Sequence, residues 1–182
     1  AIAPSKSASG NALLYINPHV SFYFRPEVHV VSEEGLNAYG AVTWGQFFIY
    51  QGFNEFCGWM HTSSIADVSD LYEEKVIKKG KGYVYVYDDE EREVKEQTIN
   101  IRFKDAAETK TRSFNIFSTH HGPVMAKRND IWISLASDNR NMNGVIQSWQ
   151  RTKAASFDHY KKVMALTANT SNNTVYADAA GN

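Results

Sequence analysis

Short runs of β-branched and aromatic residues, separated by single glycines, dominate the first third of the chain. They lie at 29–31, 39–44, 47–50 and 56–61. Runs this short, with a turn residue between each pair, are typical of closely connected antiparallel strands and leave no room for long helices. The pattern therefore predicts a β-rich first half.

The alternation continues in the middle of the chain. Residues 83–87 and 94–103 alternate with a period of two and flank the acidic stretch 88–93, which predicts one hairpin with a solvated, charged tip. Two further strands are predicted at 112–118 and 130–136.

Helical spacing of apolar residues appears only late, over 144–168, and predicts two short helices hinged near Ala155. The final segment, 172–182, has the pattern of a strand that enters a turn at 178–182. The chain is therefore predicted to be α+β, mostly antiparallel. Its 182 residues favour a single domain, 1–182.

Charge and hydropathy narrow the range of partners. Lys and Arg number 19 against 20 Asp and Glu, so no broad cationic face for nucleic acid is expected. No apolar run reaches the roughly 20 residues that cross a bilayer. A small molecule or another protein is the expected partner, and the single cysteine, Cys57, is expected to be a small buried hydrophobe.

Motifs for several reaction classes are missing from the sequence. There is no G-x-S-x-G nucleophile elbow and no phosphate-binding glycine loop. His120 and His121 are adjacent, and neighbouring strand residues face opposite sides, which favours turn histidines before Gly122 over a shared metal ion. One of two hypotheses for the function is therefore a noncatalytic β-rich binding module or a pseudoenzyme.

The second hypothesis for the function comes from four motifs that follow one another along the chain. These are SASGNALLYINPHVSFYF, GFNEFCGWMHTSSIADVSDLYEE, HHGPV and NNTVYADAAGN. Together they resemble the β-subunit of the penicillin acylase family, which includes the acyl-homoserine lactone acylases and belongs to the N-terminal nucleophile hydrolases. The resemblance implies part of a four-layer α/β/β/α fold, with 1–182 as an incomplete domain from the amino-terminal part of that subunit.

The resemblance also implies an amide hydrolase whose nucleophile is an amino-terminal serine freed by self-cleavage. That serine would precede Ala1, since Ala1 and Ile2 resemble the end of the nucleophile strand. The backbone N–H of Ser63 matches one oxyanion donor, and the second, an asparagine, is expected beyond Asn182. His19 matches a position that orients the nucleophile.

Several residues after His19 are expected to line the acyl-binding cleft. By the same resemblance His61 stands beside the oxyanion donor and is placed with this group. The candidate substrate-binding residues are Val20, Phe22, Tyr23, Phe24 and His61.

A structural calcium ion is implied at Asp67, Ser69 and Asp70, where two carboxylates bracket a backbone carbonyl. No organic cofactor is expected. The implied partners are an acylase α-subunit, the remainder of the β-subunit and a small-molecule amide such as a β-lactam or an acyl-homoserine lactone. The implied location is the periplasm or the extracellular space.

Overall fold

A computed structural model describes residues 1–21 and 23–182. The chain packs as two units: unit 1 contains Ala1–Asp67 and Asp138–Asn182, and unit 2 contains Val68–Ser137. The single domain expected from chain length stays a prediction, because a division by packing is not a test of independent folding.

Unit 1 is built on a five-stranded antiparallel sheet with the order β1-β2-β3-β4-β12. The last strand of the chain thus joins the edge of a sheet that the first sixty residues form. Its strands are β1 (Glu27–Ser32), β2 (Leu36–Ala41), β3 (Gln51–Asn54), β4 (Cys57–Ser63) and β12 (Asn172–Asp178).

Two glycines let β2 and β3 approach closely. Gly40 and Gly52 face each other in the register. A Cβ added at Gly40 would lie 2.2 Å from the carbonyl oxygen of Gln51, and one at Gly52 would lie 2.1 Å from that of Tyr39. Both distances are far below van der Waals contact, so the pairing of these strands requires glycine at both positions.

Two helices cover one face of this sheet. They are α1 (Met142–Thr152) and α2 (Phe157–Met164), and their N-caps are the side chains of Asn141 and Ser156. Trp59 is fully buried at the centre of the core, with Tyr160 of α2 and Cys57 of β4 in the same cluster. The two helices predicted on either side of Ala155 are confirmed, and so is the buried Cys57.

Unit 2 contains a five-stranded antiparallel sheet, in the order β10-β11-β5-β6-β7, and a two-stranded hairpin, β8-β9. Its core is a cluster of Val76, Tyr85, Val94 and Trp132. The strands are β5 (Ser69–Lys79), β6 (Gly82–Tyr87), β7 (Glu90–Glu93), β8 (Lys95–Asp105), β9 (Glu108–Ser118), β10 (Val124–Arg128) and β11 (Ile131–Ser137).

The predicted hairpin between 83–87 and 94–103 is wrong. Asp88 and Asp89 both have positive φ, 50° and 61°, and form a two-residue turn that pairs β6 with the acidic residues of β7. The partner of β8 is β9 instead. The acidic residues form an exposed strand at the edge of the sheet, so hydrophobic burial does not determine which strand they pair with.

The predicted strand at 47–50 is also wrong. Residues 47–50 lie between β2 and β3 and belong to neither strand, and Phe48 and Ile49 are buried from this irregular segment. They follow Gly45, whose φ of 81° turns the chain after β2. The strand predicted at 39–44 correspondingly ends at Ala41.

The other predicted strands and the carboxy-terminal turn are confirmed, as is the α+β, mostly antiparallel class. In that turn the carboxylate of Asp178 accepts hydrogen bonds from the backbone N–H groups of Ala180 and Asn182, both at 3.0 Å. Among the described residues no helix is long and apolar enough to cross a membrane.

Candidate active site

One cavity in unit 1 brings together four of the predicted site residues. It has a volume of about 280 Å³ and is lined by His19, Val20, His61 and Ser63. His19 and Val20 are more than forty positions from His61 and Ser63 in the sequence, and the two pairs meet because the segment before β1 runs alongside the end of β4. Their roles stay predictions, but their proximity is a property of the fold.

The backbone N–H of Ser63 is directed away from β12. The next residue, Ser64, donates its N–H to the carbonyl of Ser171 at 2.9 Å, and hydrogen-bonded pairs alternate along an antiparallel ladder. Two residues earlier the His61 carbonyl faces the same way as the Ser63 N–H and accepts a hydrogen bond from Gln51 Nε2 at 2.8 Å. The Ser63 amide is therefore a backbone donor that the β4–β12 pairing does not use.

His61 is a neutral, buried histidine. Its side chain is 6% exposed, and burial, together with the nearby guanidinium groups of Arg151 and Arg25, lowers its pKa to about 3. Its Nδ1 accepts from Asn169 Nδ2 at 3.2 Å and lies 2.9 Å from Thr174 Oγ1. The proton of the neutral ring is therefore on Nε2, which is buried and has no hydrogen-bond partner among the described residues.

His19 lies at the open side of the cavity. It is exposed, and its Nε2 is 3.5 Å from the Asn17 side chain, a long contact that does not fix the ring. Val20 beside it is also exposed. An exposed imidazole at the mouth of a cavity is free to contact a group that enters there.

Tyr23 and Phe24, the described aromatic residues after Val20, are not among the residues that line this cavity. Tyr23 packs near Trp44, with ring centroids 6.3 Å apart, and Phe24 is 40% exposed. Phe22 lies outside the described residues. Their assignment to an acyl-binding wall stays a prediction.

Two asparagines beside Ser63 were missed in the sequence, where the second oxyanion donor was sought beyond Asn182. Asn172 faces Ser63 in the register and lines the cavity, but its Nδ2 donates to Asn169 and Ser171 at 3.1 and 3.0 Å. Asn173 is exposed, and its Nδ2 makes only a 3.5 Å contact with the Ser63 carbonyl. Only strand register reveals this proximity, since more than a hundred residues separate the two segments.

The predicted calcium ligands are exposed oxygen donors. Asp67 ends the first segment of unit 1, whereas Ser69 and Asp70 begin β5 in unit 2. Neither carboxylate pairs with a Lys or Arg among the described residues, so both remain suited to a hard cation. No group of three or more His, Cys, Asp or Glu side chains in the described part of the chain is placed to hold a metal. The calcium site stays a prediction.

The histidine pair belongs to a structural network in unit 2. His121 Nδ1 and the hydroxyls of Thr119 and Ser134 all contact Oε1 of the buried Glu74, at 2.8, 2.8 and 2.6 Å. Burial raises the pKa of Glu74, but the hydrogen bonds from Ser134, His121 and Thr119 outweigh it and lower the pKa overall. A charged glutamate therefore fixes the turn that contains His121.

A match to a family model identifies the family of this chain. The family model described as penicillin amidase matches residues 1–182. The chain therefore belongs to the penicillin amidase family, a family of amide hydrolases.

Two relatives illustrate the relationship. The chain is 28% identical over 127 residues to an acyl-homoserine lactone acylase, QuiP, of Pseudomonas fluorescens, covering 69% of this chain and 15% of that protein. Its fold is similar to that of a thermostable penicillin G acylase from Alcaligenes faecalis, with a TM-score of 0.66 and 20% identity. That match covers 87% of this chain and 28% of the acylase chain. The chain thus has the fold of part of a penicillin acylase, and it spans less than a third of either relative.

Proposed function

We propose that this chain forms part of an acylase that hydrolyses the amide bond of a small molecule, such as a β-lactam side chain or an acyl-homoserine lactone. The observation that supports this most is that one cavity is lined by His19, His61 and Ser63, and that the β4–β12 pairing does not use the N–H of Ser63. An amide carbonyl seated there would meet a fixed donor, which is what acyl transfer requires.

The nucleophile in this proposal is an amino-terminal serine that precedes Ala1. Its hydroxyl attacks the amide carbonyl while its own α-amino group, with an ordinary pKa near 8, accepts the proton through a water molecule. The protonated α-amino group gives this proton to the amide nitrogen as the C–N bond breaks, and the amine leaves. A second water then hydrolyses the acyl-serine ester, which releases the acid and restores the serine hydroxyl. The 182 residues alone, which begin with alanine, should therefore show no acylase activity.

The Ser63 N–H stabilises the oxyanion that forms in both steps. Fixed donors of this kind contribute about 3 kcal/mol each to the transition state. Asn173 is the better candidate for the second donor, because the amide of Asn172 is already committed to Asn169 and Ser171. His19 at the cavity mouth would orient the serine.

The wider assembly is also a proposal. The chain spans 15% and 28% of the two relatives, which supports additional protein, an α-subunit and the rest of the β-subunit, around the cavity. A periplasmic or secreted location and a calcium ion bound in part by Asp67, Ser69 and Asp70 belong to the same proposal. Calcium, when bound, would supply only structural charge neutralisation.

The donor assignment is tested by paired substitutions in the mature protein that contains this chain. Asn173→Ala should lower kcat for a neutral amide by about a hundredfold, and Asn172→Ala should lower it less. Release of the free amine measures both. A larger loss in Asn172→Ala would move the donor to Asn172, and no hydrolysis by the wild type would favour a noncatalytic binding module.

A further inference from the structure

The candidate active-site cavity contains an arginine that has no anionic partner. Arg25 lines the cavity and is half-buried, with its guanidinium carbon 4.6 Å from the centroid of the Tyr50 ring. Its Nε is buried and unpartnered, and Arg25 makes no ion pair within the described residues. A planar guanidinium with spare donors is the side chain best suited to a carboxylate.

His61 adds a second spare donor in the same place. Its ring packs on Tyr50 as well, with centroids 4.9 Å apart, so Arg25 and His61 contact the same aromatic side chain and line the same cavity. The Nε2–H of His61, on a side chain that is more than nine-tenths buried, has no partner among the described residues. Gln51 Oε1, another buried atom of the lining, also has no partner among the described residues and suits a water or a ligand N–H.

A second guanidinium, that of Arg151, adds positive charge near His61. Arg151 is fully buried; its Nη2 donates to the Tyr50 carbonyl at 3.3 Å, while Nε and Nη1 have no partner in the described chain. Arg151 and Arg25 are both close enough to His61 to lower its pKa. Two buried or half-buried cations without a carboxylate among the described residues are costly, and an anion bound in the cavity beside Arg25 would offset part of that cost.

We infer that this cavity binds a carboxylate group, held by the guanidinium of Arg25 and the Nε2–H of His61. Arg25 offers a forked pair of donors and His61 a single one, which together match the two oxygens of a carboxylate. The volume of about 280 Å³ fits a short carboxylic acid or the charged end of a longer one. Binding itself does not depend on hydrolysis, but its place beside the reacting bond rests on the proposed function.

The test is equilibrium binding of acetate and of its neutral isostere acetamide to the mature protein that contains this chain, measured by calorimetry. Acetate should bind at least tenfold more tightly than acetamide. Arg25→Gln should raise the Kd for acetate by about ten- to a hundredfold and leave acetamide unchanged. His61→Phe should weaken acetate binding by about tenfold.

The matched control is Arg92→Gln, because Arg92 lies over Tyr87 at 4.2 Å much as Arg25 lies over Tyr50. This variant should bind acetate like the wild type. Thermal unfolding checks that each variant is folded. Equal binding of acetate and acetamide by the wild type, no binding of either, or an unchanged Kd for acetate in folded Arg25→Gln would overturn the inference.

Two further measurements identify where the carboxylate comes from. Competitive inhibition of neutral amide hydrolysis by acetate, relieved in Arg25→Gln, would assign the site to the acid product. A higher kcat/KM for an amide with a distal carboxylate than for its methyl ester, lost in Arg25→Gln, would assign it to the substrate. A protein that binds acetate through Arg25 but hydrolyses no amide would support the site and refute the proposed acylase.

Discussion

Substitution of Ser63 by proline removes one hydrogen-bond donor from the proposed oxyanion hole. Proline has no backbone N–H, and the N–H of Ser63 points away from β12 and is not needed for the β4–β12 pairing, which Ser64 continues through its bond to Ser171. The side chain of Ser63 is exposed, so its loss opens no cavity in the core.

The magnitude follows from the chemistry of that one donor. Loss of a fixed oxyanion donor costs about 2.7 to 4 kcal/mol in the transition state, which corresponds to a fall in kcat of about 10²- to 10³-fold. KM should change little, because the donor acts on charge that develops only during the reaction. Ser63→Ala keeps the N–H and should stay within about tenfold of the wild type.

Steady-state hydrolysis of a neutral amide by the mature protein that contains this chain measures both variants. Thermal unfolding shows whether Ser63→Pro is folded at the assay temperature. A folded Ser63→Pro variant with wild-type kcat would refute the reasoning and place the oxyanion hole elsewhere. An equal loss in Ser63→Ala would show that the hydroxyl, and not the amide, is the group that matters.

Three further predictions concern stability. Calcium should raise the unfolding temperature of the mature protein relative to a chelator, and Asp70→Ala should abolish that shift; identical shifts in both proteins would remove the site. The pKa of Glu74 is lowered on folding, so its charged form stabilises the protein above the ordinary glutamate pKa, and this stability is lost as the pH falls through the lowered value. Between about pH 5 and pH 3 the free energy of unfolding of the wild type should therefore fall more than that of Glu74→Gln, as measured by urea titration. Parallel losses in the two proteins would contradict this. Gly52→Ala should cost about 3 kcal/mol in the same titrations, since its Cβ would lie 2.1 Å from the Tyr39 carbonyl, whereas Gly82→Ala, which meets nothing within 4 Å, should be nearly neutral.

The strands with strong patterns were predictable from the sequence. The run at 56–61 supplies most of β4, and Cys57 and Trp59 of this strand are buried in one cluster with Tyr160 of α2. The late helices follow from apolar spacing and from the capping side chains of Asn141 and Ser156. In these segments the local secondary-structure preference agrees with the burial in the fold, so the sequence pattern predicts the observed element.

The failures have a different physical origin. The acidic residues of β7 have no buried face, so the turn at Asp88 and Asp89, and not hydrophobic burial, decides their pairing. Phe48 and Ile49 are buried from an irregular segment, which no periodicity can encode.

The candidate site was predictable only in part. His19, His61 and Ser63 were identified by resemblance, and the fold brings them to one cavity. Arg25 and Asn173 were missed because their importance comes from strand register and from the absence of a charged partner. Such features depend on contacts between distant segments, and a single sequence does not display them.

The most direct test of the proposed acylase is the site at which the protein becomes acylated. The mature protein that contains this chain should be mixed with an activated ester of a neutral acid, quenched at low pH and digested, and its peptides measured by mass spectrometry. We expect one acyl group per protein, on the hydroxyl of an amino-terminal serine a few residues upstream of Ala1, with faster acylation than in Ser63→Pro. Acylation at another residue, or none in folded protein, would contradict this expectation.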